Sequence, residues 1–206
     1  MTITYLKFMK HAEKVSATAS KSRPILAGVL HKDRSLAVTD SHRLYYAVGI
    51  APEGEMSVIN PKTGDELAEG KYPDFERLIP LKDDAKAQFI INADFASKAT
   101  KIIENAEKIN GQNRVRITAV SNELFITSDG EELVASALIG KRVDTNEEEF
   151  VMYADAKYVS EAFALLKDSK SESVEFRYYG ELRPFTINTD GGVTALILPI
   201  RKETIN

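Results

Sequence analysis

Residues 38–48 read VTDSHRLYYAV, a run of five polar residues between two apolar flanks. The flanking segments SLAVTD and HRLYYAVGI have the composition of strands, being rich in β-branched and aromatic side chains. The polar residues from Thr39 to Arg43 therefore lie where two predicted strands meet. Three interpretations are open for them: a strand end that only shapes the fold, the rim of a binding groove, or a catalytic cluster of Asp40, Ser41 and His42.

The segments before this stretch complete a small unit of one helix and three strands. ILAGVLHK predicts another strand, separated from SLAVTD by the turn KDR. In KFMKHAEKVSATA, Phe8, Ala12, Val15 and Ala19 recur at helical spacing. The helix should end before Pro24, because the residue preceding a proline avoids helical geometry. TITYL, residues 2–6, predicts an opening strand.

The same order of strand, helix and three strands recurs twice after residue 86. The helices are predicted in FASKATKIIENAEKI and AKYVSEAFALLKD. The fold class is therefore α+β, with about three repeated units, each burying its apolar face against a sister unit. Because the stretch from Lys62 to Lys86 is polar and rich in turn residues, we expect one domain over residues 1–80 and another over residues 86–206. Three units leave one unit without a sister inside the chain.

Composition excludes several classes of protein. The 206 residues contain no cysteine, which rules out disulfides and thiolate metal sites and fits the reducing cytoplasm, where we expect the protein. Lysines interrupt the N-terminal segment, so no export signal is predicted, and no apolar run approaches the ~20 residues of a membrane span. The net charge of −4 argues against a broad basic surface for nucleic acid, unless the positive charge is segregated.

Nothing in the sequence argues for an enzyme, a metal or a cofactor. Neighbouring side chains on a strand point to opposite faces, so Ser41 and His42 are badly placed to share a proton, and no Gly-x-Ser-x-Gly elbow surrounds Ser41. A hydrolase remains a remote alternative. The three histidines are isolated, and the acidic run Glu147–Glu149 lacks the pattern of a calcium loop.

Positive charge is concentrated in and just after the first predicted helix. Five basic residues there face a single acidic one, Glu13, whereas the other two helices have balanced charges. Contact with nucleic-acid phosphates and simple solvation of an amphipathic helix explain this equally well. The five are Lys7, Lys10, Lys14, Lys21 and Arg23.

The C-terminal stretch ALILPIRK predicts an edge strand, because Pro199 cannot donate a ladder hydrogen bond. Leu196, Leu198 and Ile200 would share one face by the period of two. This face is either core or, with Pro199, Arg201 and Lys202 beside it, one wall of a groove.

Three separated segments together resemble the bacterial sliding clamp, the beta subunit of DNA polymerase III. Residues 23–48, RPILAGVLHKDRSLAVTDSHRLYYAV, are similar to the Leu-x-Gly, strand and Ala-Thr-Asp-Gly-His-Arg-Leu pattern of its middle domain. KYPDFERLIP resembles its Phe/Tyr-Pro-Asp-Phe/Tyr linker, and LILPIRK resembles its apolar-x-Met-Pro-Met/Ile-Arg ending. The likeness covers essentially the whole chain. Ser41 replaces the Gly of the family, and SVINPKTGDELAEG leads straight to KYPDF, as though one unit of the middle domain were deleted. A phage or mobile element would be a natural source of such a shortened relative.

The resemblance implies a DNA-clamp-like fold of antiparallel sheets with helices on one face, and a non-catalytic accessory protein of replication. Its partners would be replication or repair proteins whose short peptides bind a groove. The alternative is an oligomeric processivity factor that encircles duplex DNA, in which the five basic residues named above face the DNA. If the family's ring has twelve units, four chains of three would match it. By matching position, the groove would use Leu26, Thr39, His42, Arg43, Leu44, Pro80, Leu196, Leu198, Pro199 and Arg201.

Overall fold

A computed structural model describes residues 2–68, 70–145 and 148–201; Glu147 and Lys202 lie outside these residues. The first unit contains α1 (Tyr5–Ser16), β1 (Val29–Lys32), β2 (Ser35–Thr39), β3 (Arg43–Ala47) and β4 (Ser57–Ile59). The second contains β5 (Ala87–Asn92), α2 (Ala93–Ile109), β6 (Arg114–Val120), β7 (Glu123–Ser128) and β8 (Ser136–Arg142). The third contains β9 (Phe150–Asp155), α3 (Ala156–Asp168), β10 (Ser173–Tyr178), β11 (Phe185–Asn188) and β12 (Val193–Ile197). Short 3-10 helices cover Pro24–Ala27, Glu76–Leu78 and Lys82–Asp84.

The strands form one antiparallel sheet in the order β4-β1-β2-β3-β12-β11-β10-β5-β8-β7-β6-β9. The first unit joins the third through β3 and β12, whose register places Leu44 opposite Leu196. The α+β class and the repeated units are thus confirmed. No helix in the described part of the chain is both long and apolar enough to cross a membrane.

In two sister units, the opening strand of each unit pairs with the first of the three later strands of the other unit. The opening strand of the second unit, β5, pairs with β10 of the third, and β9 of the third pairs with β6 of the second. In the first unit, the equivalent neighbour of β1 is β4. By this comparison, β4 occupies the position of an opening strand from a sister unit whose helix and remaining strands are missing between β4 and β5.

The predicted strand over residues 2–6 is wrong. α1 already begins at Tyr5, and Thr2 to Thr4 are not in a strand. The opening strands of the other units pair with a sister unit, and the first unit has no sister in the described chain. An extended segment here would leave its backbone groups without ladder partners, which makes a strand unfavourable.

The three helices cover one face of the sheet, with α3 packed between α1 and α2. Their inward side chains and those of the strands form one large apolar cluster. Polar contacts also join the helices. Asp168 of α3 accepts hydrogen bonds from Lys7 Nζ at 3.0 Å and from His11 Nε2 at 3.0 Å, while Lys167 lies 2.8 Å from Asp94 of α2. The contacts of Asp168 thus join the first unit to the third, and the contact of Lys167 joins the third unit to the second.

A second apolar cluster lies on the opposite face, which we call the outer face, of β1, β2, β3 and β12. It contains Leu44 and Leu196 and is covered by residues of the segment 70–79. The Tyr72 hydroxyl donates to the Ala37 carbonyl at 3.2 Å, and the Phe75 ring lies 5.1 Å from that of Tyr46. Part of the polar stretch predicted as a linker therefore packs on the sheet. The division into domains 1–80 and 86–206 stays a prediction.

Two buried histidines make the stability of this arrangement depend on pH. Burial lowers the pKa of His11, although its contact with Asp168 opposes the shift. Burial likewise lowers the pKa of His31, whose Nδ1 donates to the Val29 carbonyl at 3.0 Å while its Nε2 accepts from Tyr5 at 3.1 Å. Because the unfolded chain binds protons more readily, at a pKa of about 6.5, stability is complete above that pH and is lost as the pH falls below it.

We therefore expect the urea midpoint to fall between pH of about 7.5 and about 5.5, a window set by the histidine value. A variant with both His11→Gln and His31→Gln should lose less over the same interval. An unchanged or rising midpoint for the wild-type protein would contradict the assignment of these two histidines as neutral in the folded state.

Candidate functional site

The polar run between β2 and β3 is a tight turn held by its own side chains. The Thr39 hydroxyl donates to the Arg43 carbonyl at 2.7 Å and accepts from the Ser41 N–H at 3.1 Å. Asp40 Oδ1 accepts from the backbone N–H groups of His42 at 2.9 Å and Arg43 at 3.0 Å. Short polar side chains often bond to backbone groups two or three residues on in turns. The turn is therefore a rigid end to the hairpin.

Ser41 has a φ of +80°, in the left-handed region that favours glycine. The sliding-clamp pattern places Gly at this position. The backbone here therefore has the positive φ that suits glycine, although the residue is a serine. The serine carries a steric cost that glycine would not have.

We expect Ser41→Gly to stabilise the protein by about 1 kcal/mol, because relief of the left-handed strain outweighs the extra freedom of glycine in the unfolded chain. Ser35→Gly is the matched control: Ser35 lies in β2, where glycine should cost about 0.5–1 kcal/mol. Urea denaturation of both variants measures the difference. A Ser41→Gly protein less stable than the wild type would show that the serine side chain supports the turn.

The geometry does not support the hydrolase alternative. Asp40 is engaged by the turn, by Arg43 and by the Thr18 hydroxyl at 2.7 Å, and no hydrogen bond joins the side chains of Ser41 and His42 in the residues described. His42 is exposed, with its ring 6.5 Å from that of Tyr158. A nucleophile needs a base within hydrogen-bonding reach, and this arrangement lacks that contact. The described residues also contain no cluster of three histidine or acidic side chains able to share a metal ion.

The Arg43 side chain points to the helix face and is completely buried. Its Nε donates to Asp40 Oδ2 at 3.1 Å, and its Nη1 donates to Glu161 of α3. Its Nη2 donates to the Lys14 carbonyl at 3.2 Å, and the guanidinium lies 4.2 Å from the Tyr158 ring centroid. Arg43 was predicted as a residue of the groove, and its side chain lies on the other face of the sheet from the groove, so its role in binding stays a prediction. Side chains alternate along β3, so Arg43 and Leu44 face opposite sides.

A groove of about 160 Å³ opens on the outer face where β3 meets β12. Leu44 and Leu196 are buried beneath it, whereas Leu198 is 38% exposed. The Leu198 N–H donates to the His42 carbonyl at 2.9 Å, which extends the β3–β12 pairing up to the turn. We call this site the groove; it is lined by Thr39, Ser41, His42, Arg43, Leu44, Leu78, Pro184, Leu196 and Leu198. Arg43 lines the groove although its side chain is buried toward the helices.

Six of the ten residues predicted for the groove thus meet there: Thr39, His42, Arg43, Leu44, Leu196 and Leu198. The other four are absent from its lining. Leu26 is buried in the outer cluster, Pro80 and Pro199 are half-buried, and Arg201 is exposed. Their roles stay predictions.

Three lining residues, Ser41, Leu78 and Pro184, were not predicted. The sequence did point to Ser41, since this residue replaces the Gly of the family pattern. No sequence pattern pointed to Leu78 or Pro184. Leu78 lies in the linker segment and Pro184 directly precedes β11, and both reach the groove only through the tertiary fold.

The helix face shows two kinds of lysine. On α2 and α3, four lysines pair with carboxylates: Lys98 and Lys167 lie 2.6 and 2.8 Å from Asp94, and Lys101 and Lys108 lie 2.8 and 2.6 Å from Glu104. The hydrogen bonds from Lys167 and Lys98 lower the pKa of Asp94 to about 2. These lysines are therefore largely neutralised within the molecule.

The five basic residues predicted to face DNA do not share one helix. α1 ends at Ser16, short of the predicted Ala19, so Lys21 and Arg23 lie in the following loop. Lys7 is paired with Asp168. Lys10 and Lys14 are exposed on α1 and form no ion pair with any described residue. The role of these residues toward DNA stays a prediction.

Comparison with known proteins places this geometry in context. No family model matches the chain. It is 26% identical to the beta sliding clamp of Staphylococcus epidermidis over 248 residues, covering 98% of this chain and 63% of that protein. The chain is similar to the bacterial beta sliding clamp over almost its whole length. The beta sliding clamp of Staphylococcus aureus is 25% identical over the same coverage. The chain thus spans 63% of the length of these relatives.

Solved structures of sliding clamps share the fold. The Bacillus subtilis DNA polymerase sliding clamp superposes with a TM-score of 0.73 at 22% identity, covering 98% of this chain and 64% of that one. The Streptococcus pyogenes beta subunit gives 0.74 at 19% identity, covering 98% and 68%. The Helicobacter pylori beta clamp bound to a DNA ligase peptide gives 0.68 at 18% identity, covering 98% and 65%. Since 248 aligned residues exceed the 206 of this chain, the beta sliding clamp has internal residues without a counterpart here.

Proposed function

We propose that this protein is a clamp-like accessory protein of DNA replication, without catalytic activity, that binds short peptides of polymerase or repair proteins in the groove. We propose the cytoplasm as its location, which the absence of cysteine fits. One observation carries the proposal: an open apolar groove lies at the β3–β12 junction, where residues from four separated segments meet. The peptide-bound structure of the Helicobacter pylori beta clamp supports it by analogy.

The chemistry of the groove suits a peptide with apolar anchors. Leu44, Leu196 and Leu198 form an apolar floor and wall, and Leu78 and Pro184 add to the lining. The exposed Ser41 hydroxyl and His42 ring supply polar groups at the rim. A few directed polar groups around an apolar site orient a ligand whose affinity comes from burial of its side chains. The rigid turn holds this rim in place before any ligand arrives.

The direct test is a titration of the full chain into a fluorescein-labelled peptide that carries a glutamine followed by two leucines, followed by fluorescence anisotropy. We expect saturable binding that depends weakly on salt, because apolar burial dominates it. A matching peptide with serines in place of the leucines should not bind. Equal binding of the two peptides, or of neither, would refute the proposed function.

The alternative function is a ring that encircles duplex DNA. One observation favours it: the exposed Lys10 and Lys14 have no ion-pair partner on the described helix face. Each chain has three units, one over residues 1–80 and two over residues 86–206. Four chains would therefore supply twelve units. Light scattering after size exclusion should then give the mass of four chains, with retention on circular but not on linear DNA. A monomer or dimer at all concentrations would exclude this ring.

A further inference from the structure

The groove and the helix face are joined through the sheet by one buried side chain, that of Arg43. Arg43 lines the groove together with the turn that precedes it, while its guanidinium lies among the helices. There its Nη1 donates to Glu161, a mostly buried carboxylate of α3 that is not among the residues lining the groove. Glu161 thus contacts a groove residue from the opposite face of the sheet.

The hydrogen bonds inside the turn between β2 and β3 fix its shape, but they do not fix where it lies relative to β12. Its side-chain contacts with Thr18 and with the Lys14 carbonyl stay within the first unit. The hydrogen bond from Arg43 to Glu161 instead reaches the third unit, which supplies β12. Glu161 therefore holds the turn against the unit that builds the other side of the groove.

The Arg43 guanidinium transmits this contact because it is planar and its nitrogens are fixed relative to one another. Its Nε donates to Asp40 Oδ2 at 3.1 Å, and Asp40 Oδ1 accepts the His42 N–H at 2.9 Å. The His42 carbonyl in turn accepts the Leu198 N–H at 2.9 Å. A continuous series of polar contacts thus runs from Glu161 to Leu198, the partly exposed leucine of the groove wall.

Tyr158 supports the same arrangement from one helical turn before Glu161. Residues three apart on a helix lie on the same face. The Tyr158 ring centroid lies 4.2 Å from Arg43 Cζ, and the ring lies 6.5 Å from that of His42. The turn needs external support, because Ser41 has a left-handed φ of +80° and a strained backbone persists only where its surroundings hold it.

We propose that Glu161 is a positioning residue of the groove, which holds the rim through Arg43 in the geometry that binds a peptide, without touching the peptide itself. This inference rests on the proposed function and adds to its site a residue on the opposite face of the sheet. Without the Glu161 carboxylate, the turn samples other positions, and the apparent affinity falls with the fraction of molecules whose groove is competent. Asp40 remains as the counter-ion of Arg43, so the fold should survive.

The test measures the affinity of the full chain for the labelled peptide with a glutamine and two leucines. We expect Glu161→Gln, which keeps the shape but not the charge, to bind about five-fold more weakly than the wild type, and Glu161→Ala about ten-fold. Asp168→Asn is the matched control, because Asp168 also joins α3 to the first unit, through Lys7 and His11, and its printed contacts in the described chain do not include the turn. This control should bind the peptide as the wild type does.

Amide hydrogen exchange of the free protein supplies a readout that a loss of global stability would not produce. The His42 and Leu198 N–H groups should exchange faster in Glu161→Gln than in the wild type, since both belong to the series of contacts that Glu161 anchors. The amides of β10, in the middle of the sheet, should keep their rates. Asp168→Asn should leave the rates of His42 and Leu198 unchanged.

The outcomes separate this inference from the proposed function. If the wild type does not bind the peptide, the proposed function fails and the inference fails with it. If the wild type binds and both Glu161 variants bind as tightly, only the inference is overturned. Equal losses in Glu161→Gln and Asp168→Asn would also overturn it, because they would reflect a general loosening of α3 from the first unit. Weaker binding without faster exchange at His42 and Leu198 would refute positioning through the turn.

Discussion

Replacing Arg43 with alanine is expected to destabilise the protein by about 3–5 kcal/mol, the largest effect of any change described above. The variant would leave Asp40, whose side chain is 1% exposed, and Glu161, at 14%, without their cation. A buried carboxylate without a partner costs several kcal/mol, and the packing of the guanidinium against Tyr158 is lost as well. The Lys14 carbonyl at the end of α1 also loses a donor.

Urea denaturation of the wild type and the Arg43→Ala variant measures this effect. Arg34→Ala is the matched control, because Arg34 also pairs with a carboxylate, Glu53 at 3.3 Å, with both side chains largely exposed. An exposed pair contributes about 0–1 kcal/mol, so the control should differ little from the wild type. A loss at Arg43 no larger than the loss at Arg34 would mean that the buried network does not hold the hairpin to the helices.

Leu198→Asp should abolish peptide binding, with a loss of affinity of about 100-fold or more. The change removes the burial of a leucine, worth about 1.5–3 kcal/mol, and places a charge where the apolar part of the ligand must exclude water. Leu198 is 38% exposed and lies just beyond the end of β12, so the fold should survive. The fully buried Leu44 would be a poor choice, since a charge there would also damage the outer cluster.

Leu138→Asp is the control for this experiment, because Leu138 has the same 38% exposure and lies on β8, well removed from β12 in the sheet. It should bind the leucine peptide as the wild type does. Affinity retained by Leu198→Asp, or lost equally by Leu138→Asp, would show that the ligand does not occupy the groove.

Local patterns were sufficient for most elements. α3 was predicted over residues 156–168, where the structure has it, because its apolar residues recur at helical spacing. The strands on either side of the turn at Asp40 were likewise predictable from their composition. Where a prediction of secondary structure failed, contacts between residues far apart in the chain determined the structure instead. Residues 2–6 have the composition of a strand, but a strand requires a partner that the first unit lacks.

The site divides in the same way. Motifs spread over residues 23–48, 71–80 and 196–202 were enough to predict which segments form a groove, and period-two alternation already separates Arg43 from Leu44, although the prediction did not use it. Leu78 and Pro184 could not be found from patterns, because their position depends on how the linker and β11 pack.

The sequence by itself determined the type of each unit, the polar turn and the segments that contribute apolar side chains, because these depend on neighbours a few residues away. Only the tertiary structure decided that Arg43 reaches through to Glu161 and that β3 pairs with β12. Each of these contacts joins residues far apart in the chain. Their geometry follows from the packing of whole units, which no local pattern encodes.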